Sequence, residues 1–407
     1  MQNAWPSQAE SQPAPKPMAK PAPRPNTGMA TSRLQSQPWL PGAGQPLPPS
    51  YALNRPVPAP PPQAYAPNAI RNGKIQVALL LPLSGKNAAL GQAMLNAAQL
   101  AVFDMAGASF ELMPRDTGAS ADSAAQAARS AIADGAQLLI GPLFAGDVAA
   151  VKPVVQTSAI NMLALSTDVS LAEPGAYVMG FAPAPQVDRV VAYAARHDAR
   201  RFAAIIPATP YGALVKQAFE DSVRRNGGTI VATANVAHAQ DIAAQRDRID
   251  ALFLPLGGNE LRSVAATLAS AGLENGRLRL LGTGLWDEPG LGKTPLLVGG
   301  WYAAAEPEAR APFIDNYSKT YGQEPPRLAT LAYDATALAA ILAQRGGRYD
   351  RAALSNPNGF AGLDGIFRLT PQGSTERGLA INEITPAGNQ LVDPSPSSFA
   401  GFGSGVN

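Results

Sequence analysis

A doubly wound α/β protein with two similar lobes is what this 407-residue sequence predicts, and three observations predict it. Short apolar runs alternate with helical patterns, several of the runs end in a Gly/Pro/Ser turn that opens directly into a helix, and the whole pattern restarts after Phe181. The clearest unit is residues 75–100, IQVALLLPLSGKNAALGQAMLNAAQL, followed by a second at 137–156, QLLIGPLFAGDVAAVKPVVQ. Strands this apolar are buried on both faces, so only their carboxyl ends reach solvent, and ligands of such sheets sit there.

Taken in order, the first lobe is read as strands at residues 75–81, 110–113, 138–140 and 162–165, with helices at 88–106, 121–134 and 147–157 between them. Ser120 and the pair Gly146-Asp147 supply helix starts, and Gly107 and Gly135 stand where helices stop. The restart gives strand 202–206, helix 211–225 with a Gly227-Gly228 stop, strands 229–235 and 251–256, helix 260–271 and strand 278–281. Strand 300–304 leads to helices 311–321 and 328–344, and a strand pair at 365–369 and 379–384 ends the pattern. If the late helices return to the first lobe and the last strands to the second, the chain crosses three times, near 181–183, 303–306 and 359–365. Lobe 1 is then about 74–182 and 306–358, and lobe 2 about 183–303 and 360–393. Three parallel linkers make a hinge, and a crevice between hinged lobes is a common ligand site.

Residues 1–73 differ in kind. Eighteen of the 39 prolines lie between Pro6 and Pro67, interleaved with Ala, Gln and Ser, so this part lacks the apolar density that offsets ordering entropy. It reads either as a semi-rigid polyproline II spacer, about 3.1 Å per residue where extended, or as an ordinary disordered terminus. Residues 394–407 read as a flexible tail. Up to Lys74 there are seven Lys/Arg and one acid, Glu10, against 25 basic and 29 acidic side chains in the remainder, so a basic spacer precedes a mildly acidic body. No basic stripe with interleaved aromatics occurs, which argues against nucleic acid. With no cysteine, disulfides, thiolate metal sites and cysteine nucleophiles are excluded for the chain as given. No apolar signal-type run opens the sequence; a Pro-rich start is expected just behind a removed export signal or lipid anchor.

The strand-end loops name the candidate ligand contacts: Ser84 and Gly85 after the first strand, Phe144, Ala145 and Gly146 after the third, Ser166 and Thr167 after the fourth, and Tyr211 in the second lobe. Each also has an ordinary role, Ser84 as a cap, Ser166-Thr167 as a polar turn and Tyr211 as packing against Pro207. Chemistry is argued against by what is missing. His197 and His238 are the two histidines, and both read as surface residues. No Gly-x-Ser-x-Gly elbow and no Ser-x-x-Lys pair occurs. Gly282-Thr283-Gly284 lacks the third glycine of a dinucleotide fingerprint, Gly85-Lys86 lacks P-loop spacing, and the acids are dispersed, so no cofactor and no metal is implied.

Four stretches carry a resemblance: VALLLPLSGKNAALGQAM at 77–94, LLIGPLFAGDV at 138–148, MLALSTD at 162–168, and the long piece at 179–231 that begins MGFAPAPQVDRVV. Over residues 74–393 the sequence resembles the type I periplasmic binding protein superfamily, and within it the penicillin-binding protein activator family of envelope lipoproteins. That resemblance implies two Rossmann-like lobes joined by a three-stranded hinge. It also implies a periplasmic, outer-membrane-associated, non-catalytic partner of a bifunctional penicillin-binding protein, a peptidoglycan synthase. Two departures stand out: there is no cysteine to lipidate, and a Pro-rich segment replaces the helical-repeat domain of the best-known members. Trp286, Trp301 and Tyr302 are candidate anchors for such a partner, or else core. The alternative reading is a periplasmic receptor of an ABC uptake system for amino acids or similar small molecules. In amino-acid-binding relatives a serine after the third strand meets the ligand carboxylate; here Ala145-Gly146 stand in that place, leaving only backbone N–H groups near Asp147 to hold an anion.

Overall fold

A computed structural model describes residues 73–399. The expected Pro-rich spacer, apart from Gly73, and the chain beyond Phe399 lie outside the described residues. The first lobe contains β1 (Ile75–Leu81), α1 (Ala88–Met105), β2 (Phe110–Asp116), α2 (Ala121–Ala133), β3 (Leu138–Ile140), α3 (Ala145–Ser158), β4 (Asn161–Ala164) and β5 (Ala176–Val178). Its five strands are parallel in the order β2-β1-β3-β4-β5. Alternate side chains of β1 serve two cores: Val77, Leu79 and Leu81 face one, Ala78 and Leu80 the other, all unexposed. At the end of β3, Gly141 has φ 89°, and a Cβ there would strike the Leu80 carbonyl, so the turn under the switch point between β1 and β3 requires glycine.

The second lobe follows with α4 (Pro183–Arg196), β6 (Arg201–Ile206), α5 (Pro210–Arg225), β7 (Thr229–Asn235), α6 (Ala239–Ala243), β8 (Ala251–Phe253), α7 (Gly258–Ser270), β9 (Arg279–Gly282) and β10 (Trp301–Ala304). The chain then returns through α8 (Pro307–Tyr321), α9 (Ala329–Gln344) and α10 (Arg351–Leu354) to a small sheet of β11 (Phe360–Gly362), β12 (Gly365–Leu369) and β13 (Thr375–Arg377). It ends with β14 (Ala380–Thr385) and β15 (Gly388–Asp393), which extend the second sheet antiparallel, giving β15-β14-β10-β9-β8-β6-β7. The expected architecture of two α/β lobes is therefore the observed one. Helix α9 is buried almost all round because it lies against α1 and the first lobe's core, which explains its apolar surface on every side.

Two expectations about connectivity need correction. The third crossing does not lie at 359–365. Phe360, Phe367 and Leu369 pack into the first lobe's core with Val77 and Leu163, whereas Leu379 and Ile381 belong to the second lobe's core, so the chain crosses at Gly378-Leu379. Residues 365–369 were expected beside the terminal strands because both runs alternate like half-buried strands; packing, not pattern, separates them. Nor is 394–399 a free tail. Ser395 donates from its N–H at 2.9 Å and from its hydroxyl at 2.7 Å to Glu306 Oε1, and Phe399, 4% exposed, lies under the Arg368 guanidinium of the small sheet. A fourth segment thus spans the hinge.

Candidate ligand-binding cleft

The two sheets aim the carboxyl ends of their parallel strands toward a shared cavity of about 590 Å³. Its walls are mostly apolar: Phe181 and Pro183 from the first crossing, Pro210, Tyr211 and Leu214 from the start of α5, and Leu285 after β9. Ala303–Ala305 from the second crossing, Leu328 before α9 and Leu379 at the third crossing complete them. Two large apolar side chains of its lining stand exposed on lobe 2, Leu214 (51%) and Leu285 (45%).

Polar groups here are few and largely engaged. The Tyr211 hydroxyl lies 3.0 Å from Thr283 Oγ1, and burial raises its pKa, partly offset by that hydrogen bond. Gln186 Nε2 donates to the Ala182 carbonyl at 3.0 Å while its Oε1 accepts from Gly284 N–H at 2.7 Å, which ties the first crossing to the loop after β9. Asp168 Oδ1 accepts from the Ser170 N–H and hydroxyl, and so caps its own turn.

At the hinge end of the cavity lies a cluster of three arginines and three aspartates. Arg327 Nη2 is 2.9 Å from Asp364 Oδ1 and its Nε 3.4 Å from Asp287 Oδ2, while its guanidinium stacks 4.1 Å above Phe181. Arg310 pairs with Asp287 and reaches Asp364 at 3.7 Å; Arg377 is 3.9 Å from Asp334 and donates to the Met179 carbonyl at 2.9 Å. Burial, then the neighbouring Asp364 charge, push the Asp334 carboxyl up to about 7. Burial also opposes the Asp364 charge, but Arg327, Arg310 and Arg377 outweigh it and hold that carboxyl below its ordinary value.

Of the residues the sequence singled out, Thr167 and Tyr211 line the cavity. Ser166 is adjacent but 4% exposed, its Oγ accepting from Asp168 N–H at 3.1 Å. Ser84, Gly85, Phe144, Ala145 and Gly146 occupy the ends of β1 and β3 and do not line it; the Ser84 hydroxyl bonds to Asp116. Trp286, Trp301 and Tyr302 are 0%, 9% and 0% exposed, so they are core and not surface anchors. The sequence reading missed Gln186, Leu214, Leu285, Arg327 and Asp364 as site residues. The crossing segments at 181–183 and 303–306 were a usable signal, since a chain that crosses a hinge must border the cleft. Among the described residues no group of three His, Asp or Glu is placed to hold a metal, and no helix is long and apolar enough to cross a membrane.

Two doubly wound lobes, a hinge of several segments and a cavity between them define a hinged two-lobe α/β architecture with an interlobe cleft. The chain belongs to the periplasmic binding protein family, whose sequence pattern matches residues 74–387. Family membership implies a periplasmic location. Among solved structures, a Rhodospirillum rubrum protein assigned to branched-chain amino acid ABC transport is 21% identical, with 78% of this chain and 100% of that one covered and a TM-score of 0.71. An ABC transporter substrate-binding protein of Desulfitobacterium hafniense in complex with leucine is 19% identical, covering 78% and 100% at a TM-score of 0.60. A solute-binding protein of Rhodopseudomonas palustris BisB5 in complex with 3,4-dihydroxybenzoic acid is 20% identical, covering 80% and 97% at 0.59. These likenesses carry the fold. An uncharacterized protein of Rickettsia prowazekii is 22% identical over 148 residues, so the alignment spans 39% of that relative and 36% of this chain.

Proposed function

We propose that this chain is a non-catalytic receptor that closes its lobes on a small, largely apolar molecule. The observation that carries this reading is the lining of the interlobe cavity: apolar side chains from both lobes, with Arg327 and Asp364 paired to each other and Asp168 accepting only from its own turn. A ligand carboxylate placed here would lose its hydration and meet Asp168 without gaining a free counter-ion, at a cost of several kcal/mol. The Thr167 and Tyr211 hydroxyls remain to orient one polar end. A solute receptor of an ABC uptake system fits this arrangement, and the leucine and dihydroxybenzoate complexes of its structural relatives support an apolar or aromatic ligand body.

The test is a thermal-shift and calorimetric screen of the full chain against leucine, benzoate-type acids and their neutral amides. Saturable stabilisation of about 2.7 kcal/mol at a hundredfold excess over Kd is expected for a ligand that binds only the folded state. Leu214→Asp, on the exposed cavity wall, should abolish it while changing basal stability by no more than about 0.5 kcal/mol. Binding unaffected by Leu214→Asp would place the ligand elsewhere.

A second reading, attachment to the outer membrane and activation of a bifunctional penicillin-binding protein, is favoured by one observation: the basic Pro-rich segment before residue 74, a length of spacer that a freely diffusing receptor does not need. Its measure is the glycan-polymerising and crosslinking rate of such a synthase titrated with this protein. A saturable increase would establish it, and no change without binding would discard it.

A further inference from the structure

Within the hinge cluster, Asp287 is the carboxylate supplied by lobe 2. It is fixed there by its neighbour: Trp286 is unexposed, and its indole N–H donates to the Leu254 carbonyl at 3.1 Å. Both of its cationic partners belong to lobe 1. Arg310 lies near the start of α8, a helix held to α1 by the Tyr317 hydroxyl donating to the Ala93 carbonyl at 3.2 Å. Arg327 is fixed by Asp364 and Thr330, again within lobe 1. One carboxylate on one rigid body therefore meets two guanidinium groups on the other, with side chains only 5% exposed for Asp287 and 10% for Arg310. Charges this buried are screened little by salt, so the contact is sensitive to small displacements.

We infer that Asp287 sets the angle between the lobes in the ligand-free protein, and that closure on a ligand works against this contact; the second clause rests on the receptor reading above. Gly284 and Leu285, three and two residues before it, line the cavity, so a shift of Asp287 relative to lobe 1 moves one wall of the cleft. When lobe 2 swings away, Asp364 stays beside Arg310 and Arg327 while the departing Asp287 gains water. One carboxylate then faces two guanidinium groups, so lobe 1 is left with a buried cation short of its partner, which favours the lobe angle at which Asp287 is in place.

The chain contains no cysteine, so Lys86→Cys on lobe 1 and Gln217→Cys on lobe 2, both exposed, give a clean pair for spin labels in the full protein. The interlobe distance distribution is measured without ligand by double electron–electron resonance. Asp287→Asn is expected to broaden and displace it. Asp364→Asn removes a partner from the same two arginines but wholly within lobe 1; it is expected to lower Tm and leave the distribution in place. A parent-like distribution in Asp287→Asn, or an equal displacement in Asp364→Asn, overturns the inference. Should Asp287→Asn fail to fold, Asp287→Glu keeps the charge and adds one methylene, and a displaced narrow distribution is expected; an unmoved one overturns it. Because no ligand is used, failure of the ligand screen and failure of this test are separate results.

Discussion

Asp334 shows how one side chain can link the hinge to pH. Its carboxyl is unexposed and raised from an ordinary value of 3.8 to about 7, by burial first and by Asp364 second. A raised carboxyl means that the folded chain holds a proton which the unfolded chain has released, so this group's contribution to stability is full below about pH 4 and is lost as pH rises to about 7. Asp364, held low, works in the opposite sense and stabilises as pH rises. The readout is therefore a difference: Asp334→Asn, which resembles the protonated form, should gain several degrees of Tm relative to the parent between about pH 5 and 8, with the gain vanishing toward about pH 4. A difference that stays flat across this range would mean that Asp334 is ionised throughout.

At the scale of elements, α5 delivers Tyr211 and Leu214 to the cavity because its first turn lies against the end of β6. Thr209 caps that turn by accepting from Gly212 N–H at 3.1 Å, and a Cβ at residue 212 would overlap the Pro207 carbonyl. Gly212→Ala should therefore cost about 1–3 kcal/mol and displace Tyr211 from Thr283, seen as a lower urea midpoint together with weaker ligand binding. An unchanged midpoint would show that the turn has room. Long elements were legible in the sequence. Strands β1, β3, β6 and β7 and helices α1, α2, α5 and α9 lie within a few residues of their expected spans. Strands β5, β11 and β13, of three residues each, were missed. Helix α8 starts at Pro307, four residues earlier than expected, with a proline at its first position, where the missing N–H costs no helix bond, and Pro312 inside it.

For the whole molecule, the closing segment 394–399 joins the two lobes with the crossings. Truncation after Asp393 removes the buried Phe399 ring and the Ser395 bonds to Glu306, and should lower unfolding stability by about 1.5–3 kcal/mol for the ring alone. An equal denaturant midpoint for the truncated and parent chains would show that the segment contributes nothing. Nothing local signals this role, since Pro394-Ser395-Pro396 reads as a breaker and a single Phe has no periodicity.

The two-lobed α/β class, the hinge crossings near 181–183 and 303–306 and the cavity positions Thr167 and Tyr211 were all readable from order and spacing. Strand burial and strand-end loops are local consequences of apolar runs and turns, and so are written in consecutive residues. The third crossing at Gly378-Leu379, the paired cluster of Asp287, Arg310, Arg327, Asp334, Asp364 and Arg377, and the apolar character of the cleft were decided only in three dimensions. Those residues are far apart in sequence, and a charge declares whether it is free or neutralised only when folding sets its counter-ion beside it.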